Sequence, residues 1–266
     1  MIEEKLKIIF FIIVLIYIGT IAYFYFFQNA MLFNAKAIDK KPPFDVPNME
    51  HISLEVDEGV VLDGIYKHAD KKDAPLIIYF GGNADDATRF LFYVEKLNDF
   101  NIVIFNYRGY LQSSGKPSEA NLFNDALKIY DKFAHNSRVI VIGRSLGSGV
   151  AVYLASKREV LGVVLITPYD SIASLAKEKY PFLPINLILK NRFESLKYIE
   201  KVKSPIAIIE VKNDTTIPNS HTLRLVKKIK NLSKVVVLDK TTHADVLSHP
   251  KFEECLNKII KEIYVK

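Results

Sequence analysis

Arg138-Val-Ile-Val-Ile-Gly143-Arg-Ser145-Leu-Gly147-Ser-Gly149-Val-Ala-Val-Tyr-Leu154 is the stretch on which the reading of this chain turns. The β-branched run up to Ile142 predicts a buried strand, and the small and apolar run from Leu146 predicts a helix. Between them stands Gly143-Arg144-Ser145-Leu146-Gly147, a G-x-S-x-G motif in the strand-to-helix setting that gives it chemical meaning. A serine at the apex of so tight a turn must take a strained backbone conformation. The glycines two before and two after it let strand and helix approach. The turn exposes the hydroxyl at the strand's carboxyl end, and the helix N-terminus behind it favours negative charge there. A Gly-rich turn of some other α/β protein is the plain alternative, so the chain around the motif has to supply the serine's partners.

Working outward, the alternation of strand and helix continues on both sides. Ala74–Phe80 and Ile102–Phe105 read as strands, separated by a helical stretch from Asp85 to Asn98. Ser118 to Ala134 reads as a helix, opened by Pro117 and Ser118. Leu146 to Lys157 follows the elbow, and Val163–Ile166, Ile206–Val211 and Val235–Leu238 are further strands. Asn219 to Asn231 and His249 to Tyr264 are helices. Near-continuous Val/Ile runs mean strands buried on both faces, hence a parallel sheet flanked by helices. His51–Val56 and Val60–Tyr66 flank Asp57-Glu-Gly59 and predict an antiparallel hairpin in front of it.

With 266 residues and 49% hydrophobic content, the chain fits one large domain plus an appendage. The predicted organisation is an anchor at 1–29, a linker at 30–48 and an α/β domain at 49–266. The lone cysteine, Cys255, excludes an internal disulfide and shares helical spacing with Phe252, Leu256 and Ile259, so it reads as a core residue. The net charge of +6 is scattered, with no basic block interleaved with aromatics, so no nucleic-acid partner is expected.

The appendage is Ile8 to Phe27, an uncharged run of 20 residues. At 1.5 Å per residue it matches the ~30 Å hydrocarbon core of a bilayer. Tyr23 and Tyr25 lie where an aromatic belt belongs. A cleaved signal peptide, with Ala35-Lys-Ala37 as its cleavage site, is the competing reading, but the apolar run is longer than a usual h-region. An uncleaved single-pass anchor is therefore expected. Lys5 and Lys7 before the span balance Lys36, Lys40 and Lys41 after it. A short leader most often stays cytoplasmic, which would put the domain on the extracytoplasmic side. Lys40 to Pro47 is a proline-rich connector that a helix could not pass through.

A serine needs a base to take its proton and an acid to hold that base. In this architecture they follow in the order Ser, Asp/Glu, His, each at a strand's carboxyl end. Asp214 lies at the exit of Ile206–Val211, and Asp170, in Thr167-Pro-Tyr-Asp170, is the rival acid. His243 lies in the loop after Val235–Leu238, with His249, beside Pro250, as its alternative; His221 and His135 sit in or at helices. An oxyanion hole needs two backbone N–H groups. Leu146 supplies one, and Asn83 in Phe80-Gly-Gly-Asn83-Ala84 is the natural second. The stretch from Pro168 to Ser204 breaks the strand–helix rhythm. It predicts either a small apolar cap over the serine or an ordinary crossover helix with a long loop.

These residues resemble the α/β-hydrolase superfamily, and within it the membrane-anchored Bem46-like and ABHD17-type serine hydrolases. The resemblance rests on Tyr79-Phe-Gly-Gly-Asn-Ala84, Asn106-Tyr-Arg-Gly-Tyr110 with Ser113 to Pro117, Gly143-Arg-Ser-Leu-Gly-Ser-Gly149, Tyr180-Pro-Phe-Leu-Pro184, and Asn213-Asp214 with His243. It implies a Ser145–Asp214–His243 triad, Asn83 and Leu146 as oxyanion donors, and neither cofactor nor metal. The group usually has His where Gly81 stands and Gly where Leu111 stands. Its eukaryotic depalmitoylases are held to membranes by lipidated N-terminal cysteines, which this chain lacks.

The resulting expectation is a membrane-tethered serine esterase or thioesterase, with an acyl-Ser145 intermediate and a small-molecule or lipid acyl ester as substrate. Tyr169, Tyr180, Phe182 and Leu183 are expected to form an apolar acyl-binding wall. The alternative is a catalytically silent binding module of the same fold at the membrane, for which Gly81 and Leu111 speak. A nucleotide-binding Rossmann protein would need G-x-G-x-x-G after its first parallel strand, and that is absent.

Overall fold

A computed structural model describes residues 2–38, 44–94, 96–135 and 138–265. Half of the proline-rich connector, at 40–43, lies outside the described residues. An eight-stranded sheet organises the rest. Its strands are β1 (Met49–Asp57), β2 (Val60–Lys67), β3 (Leu76–Phe80), β4 (Asn101–Phe105), β5 (Val139–Arg144), β6 (Gly162–Ile166), β7 (Ile206–Val211) and β8 (Leu232–Leu238). They run in the order β1-β2-β4-β3-β5-β6-β7-β8. β1, β2 and β4 pair antiparallel, and all pairs from β4 to β8 are parallel. This is the α/β-hydrolase fold, with the predicted hairpin forming its antiparallel edge.

Strand pleating sends successive side chains to opposite faces. Leu76, Ile78 and Phe80 of β3 join one core cluster with Val139 and Val141 of β5, while Ile77 and Tyr79 join a second with Ile140 and Ile142. Both faces are covered, which is why these strands have no polar alternation. The helices α2 (Glu119–Phe133), α3 (Leu146–Ala155), α7 (Asn219–Val226) and α8 (Phe252–Tyr264) do the covering. Ser118 caps α2, its hydroxyl accepting from Asn121 N at 3.2 Å. On α8, Phe252, Leu256, Ile259, Ile260 and Ile263 make one buried stripe, and Cys255 packs half-buried beside it.

Three predicted helices are shorter than expected. The stretch expected as a helix from Asp85 to Asn98 holds a 3₁₀-helix at Ala87–Tyr93, begun by Asp86, whose carboxylate accepts from Thr88 N at 3.2 Å. Its tighter winding lays the Phe90 ring flat on Tyr79, with centroids 3.7 Å apart. α8 starts at Phe252 rather than His249, because a residue before proline is pushed out of the helical region; His249 has ψ 132. α7 stops at Val226, since the Asn231 carbonyl already accepts from Ile206 N beside the sheet.

The anomalous stretch from 168 to 204 folds into α4 (Ile172–Lys179), α5 (Ile185–Ile188) and α6 (Ser195–Ile199). Against α4 and α5 lies α1 (Ile2–Leu32), the one helix among the described residues long and apolar enough to cross a membrane. The helix extends beyond the expected boundary at 29. Phe33 and Ile38, expected in the linker, are instead buried in the core, Phe33 edge-on to Phe193 at 6.2 Å. Gln28 fastens the two parts: its Nε2 donates to Ile188 O at 3.0 Å, and its Oε1 accepts from Lys190 N at 2.7 Å. The Asn191 amide donates to Asn29 Oδ1 at 2.6 Å, and Phe24 meets Tyr180 edge-on at 4.9 Å.

Candidate active site

β5 enters the elbow and α3 leaves it, with Ser145 at φ 49, ψ −117 between them. The left-handed φ is strained for a residue with a side chain and persists because its surroundings leave no alternative. Ser145 N donates to Ile166 O at 2.9 Å, and Ser145 O accepts from Ser148 Oγ at 2.7 Å. The two glycines are needed for packing. A Cβ on Gly143 would stand 2.3 Å from Gly147 O, and one on Gly147 would stand 2.2 Å from Phe80 O.

The loops after β7 and β8 bring the predicted partners to the serine. Ser145 Oγ lies 2.9 Å from His243 Nε2, and His243 Nδ1 donates to Asp214 Oδ2 at 2.7 Å. The other Asp214 oxygen accepts from Thr216 N (2.8 Å) and Ile217 N (2.9 Å). Burial works against the Asp214 charge, but the bonds from His243 and these two N–H groups outweigh it and hold the carboxyl below its ordinary range. The rivals are engaged elsewhere. Asp170 is buried with His221 Nδ1 at 2.7 Å and Arg224 Nε at 2.6 Å, and His249 Nε2 donates to Asp239 O at 3.2 Å.

The loop after β3 closes over the same point. A Cβ on Gly82 would lie 3.7 Å from Ser145 Cβ, so the loop's bare backbone faces the serine. Asn83 is fixed through its side-chain oxygen, which accepts from Tyr110 Oη (2.7 Å) and Asn34 N (3.0 Å). Gly81, in place of the family's usual His, has its carbonyl held by Tyr107 Oη at 2.9 Å, and a Cβ there would stand 2.8 Å from that of Ala87. Leu111, in place of the usual Gly, adopts the left-handed φ of 50.

Two residues that sequence reasoning passed over complete the frame. Arg144 bonds Asp85 Oδ2 at 2.8 Å, and the same carboxylate oxygen accepts from Gly82 N at 3.3 Å. The only signal for them was a charged residue inside the elbow itself and an acidic one just after the Gly-Gly turn. Among the described residues no cluster of three or more His, Cys, Asp or Glu side chains could hold a metal ion.

A cavity of about 780 Å³ lies between α1, α4 and α5, bounded by Thr215, Thr216 and Pro218 directly after Asp214. Of the four residues expected in an acyl-binding wall, Tyr180 lines it. The other three do not. Tyr169 is turned inward: its hydroxyl donates to Leu146 O at 3.1 Å and occupies the space where a Cβ on Gly149 would stand 2.2 Å away. Leu183 is buried within the 168–204 stretch, and Phe182 is 56% exposed on its outside. The cavity is lined instead by Ile172, Leu175, Ile185 and Ile188, with Phe24 and Leu32 of α1.

A family model described as alpha/beta hydrolase fold matches residues 75–187. An uncharacterised protein of Mycobacterium tuberculosis is 29% identical over 208 residues, 75% of this chain and 74% of that one. The lysophosphatidylserine lipase ABHD12 of Danio rerio is 28% identical over 241 residues, 74% of this chain and 62% of that one. The solved structure of Est1E from Butyrivibrio proteoclasticus with ferulic acid bound superposes with a TM-score of 0.67 at 18% identity, covering 81% of this chain and 100% of that chain. At that identity the likeness concerns the fold alone.

Proposed function

The chain belongs to the α/β-hydrolase superfamily, in its ABHD-type group of hydrolases, and on that premise we propose that it cleaves a carboxylic ester or thioester through an acyl-Ser145 intermediate while α1 anchors it in a membrane. The observation that carries this reading is the unbroken relay Ser145 Oγ–His243–Asp214, with contacts of 2.9 and 2.7 Å. His243 Nε2 takes the serine proton as Oγ attacks the acyl carbon. Asp214 holds the imidazole in the tautomer that can do so and stabilises the imidazolium that forms. The N–H groups of Leu146 and Asn83 receive the developing oxyanion. His243 then gives the proton to the departing alcohol or thiol. Water, deprotonated by the same imidazole, releases the acid and restores Ser145.

Residues 168–204 act as a cap over this site, and the apolar cavity beneath them favours an acyl chain in the substrate. The name of the Danio rerio relative puts lysophospholipids among the first esters to try. The extracytoplasmic side is the first to test for the domain. The test is a fluorophosphonate probe on the full chain in detergent. Wild type should label and hydrolyse short acyl esters, and Ser145→Ala should do neither. A folded wild type that stays unlabelled and inert would overturn the reading in favour of a silent binding module. Labelling in intact against permeabilised cells decides the side.

A further inference from the structure

We propose that the cap is not perched on the membrane but sunk into the hydrocarbon of one leaflet, so that the cavity between α1 and the cap receives a lipid's acyl chain sideways from the bilayer. The second half of this statement rests on the hydrolase reading above; the first does not.

The geometry follows from where α1 touches the cap. The uncharged run Ile8 to Phe27 has Tyr17 at its middle. Tyr17 Oη donates to Phe182 O at 2.8 Å. Tyr17, Phe24 and Gln28 lie at i, i+7 and i+11, on one face of the helix, and Phe24 and Gln28 also meet the cap. An anchor that left the bilayer before meeting its domain would make its contacts only after Phe27. Here they begin at the centre of the run.

The polar groups mark the levels. Tyr25 carries Lys190 Nζ over its ring at 4.0 Å, an aromatic–cation pair suited to the headgroup boundary. Tyr17 lies eight residues earlier, about 12 Å deeper along the axis. The Phe182 end of the cap therefore sits below the boundary by most of a leaflet's depth. The surface it presents there is apolar: Phe182, beside Pro181, is 56% exposed, and Leu187, 85% exposed next to Ile188, continues it up to the level of Gln28. At that depth, irregular backbone is tolerated only where protein satisfies it, and an unpartnered hydroxyl is costly. Tyr17 meets both needs with one bond, and at the boundary itself Gln28, three residues after Tyr25, satisfies Ile188 O and Lys190 N. The cavity that Phe24, Met31 and Leu32 of α1 make with α4 and α5 then straddles the boundary: Phe24 stands at its hydrocarbon end, and Met31 and Leu32, six and seven residues after Tyr25, stand about 9 to 10 Å above that boundary on the domain side.

The sequence contains no tryptophan, so one introduced residue reports alone. The full chain carrying Phe182→Trp is reconstituted into phosphatidylcholine vesicles brominated in mid-chain. Its emission should be blue-shifted and lose most of its intensity relative to unbrominated vesicles. Lys71→Trp, in the loop before β3 at the opposite end of the parallel strands, should lose none. In a second measurement, Met31→Trp should lower the ratio of dodecanoyl to butanoyl ester turnover about tenfold, the discrimination a filled apolar site gives. An unquenched Phe182→Trp overturns the immersion, as does one shielded from aqueous quencher but not reached by bromolipid, which would place a second copy on this face. An unchanged chain-length ratio in an active enzyme overturns the role of the cavity and leaves the hydrolase reading standing. Absence of all ester hydrolysis and probe labelling overturns the hydrolase reading, and the substrate role of the cavity with it, while the quenching still decides immersion.

Discussion

Arg144, the residue immediately before Ser145, donates to the carbonyl oxygen of His243 at 3.3 Å and to that of Ala244 at 3.0 Å, while Asp85 holds its other arm at 2.8 Å. The elbow and the loop that carries the base are thus tied together by a route separate from the triad itself. Arg144→Ala should lower kcat by about tenfold to a hundredfold with little change in KM, the cost of misplacing a base by a fraction of an ångström. Arg144→Lys should recover little, because an ammonium cannot span the forked arrangement. Steady-state hydrolysis of a short ester checks this, and full activity in the lysine variant would refute it.

The two candidate acids should separate cleanly. Asp214→Asn leaves the imidazole in the wrong tautomer and should cost kcat about 10⁴-fold. Asp170→Asn should keep most of its kcat but lose stability by roughly 3 kcal/mol, because it strips a buried partner from His221 and Arg224. Kinetics and denaturant unfolding of both variants decide the assignment.

Stability should fall on the acid side. In Asp170 and Asp214 burial opposes ionisation, yet hydrogen bonds from His221 and Arg224 in one case and from His243, Ile217 and Thr216 in the other hold each carboxyl below its ordinary value. A carboxylate depressed in the folded state contributes stability that is fully present above the ordinary carboxylate range. That contribution is lost as pH falls through the native value. Tm measured from neutral pH downward should drop more steeply in wild type than in Asp170→Asn. Parallel curves would remove Asp170 from the explanation.

Glycine substitutions should divide sharply. Gly147→Ala would set a methyl 2.2 Å from Phe80 O and 2.5 Å from Gly81 O, both backbone atoms, and should yield no folded protein. Gly19→Ala, with nothing within 4 Å, should fold normally. Circular dichroism and size-exclusion profiles in detergent are sufficient.

Tyr110→Phe removes the hydroxyl that Asn83 Oδ1 accepts from at 2.7 Å. The loop then keeps its fold but loses one restraint, and kcat should fall by about three- to tenfold, the worth of one hydrogen bond. An equal loss in binding of a substrate analogue would mean that the hydroxyl shapes the pocket rather than the loop.

Ser145, Asp214 and His243 were legible in the sequence because each sits within a few residues of a strand end, so local pattern alone locates it. Arg144 and Asp85 were not, since their meaning arises between loops far apart in the chain. Tyr169 was misread for a related reason: its direction is set by the side chain missing at Gly149, in a different element. Asp170 read as a rival catalytic acid because nothing local showed that His221, 51 residues away, would meet it. The apolar candidate span was plain from composition, but its seat against the 168–204 stretch depends on Tyr17 and Gln28, two polar residues within and just after an apolar run whose partners the sequence does not name.

Phe33 and Ile38 are core residues that belong to the chain just beyond α1. A soluble version begun at Met49, the natural choice for anyone wishing to avoid detergent, would leave two holes in the folded body and strip Asn83 of its bond from Asn34. Such a fragment would be a poor stand-in for the enzyme: less stable, slack at the serine, and a source of false negatives in any substrate screen built on it.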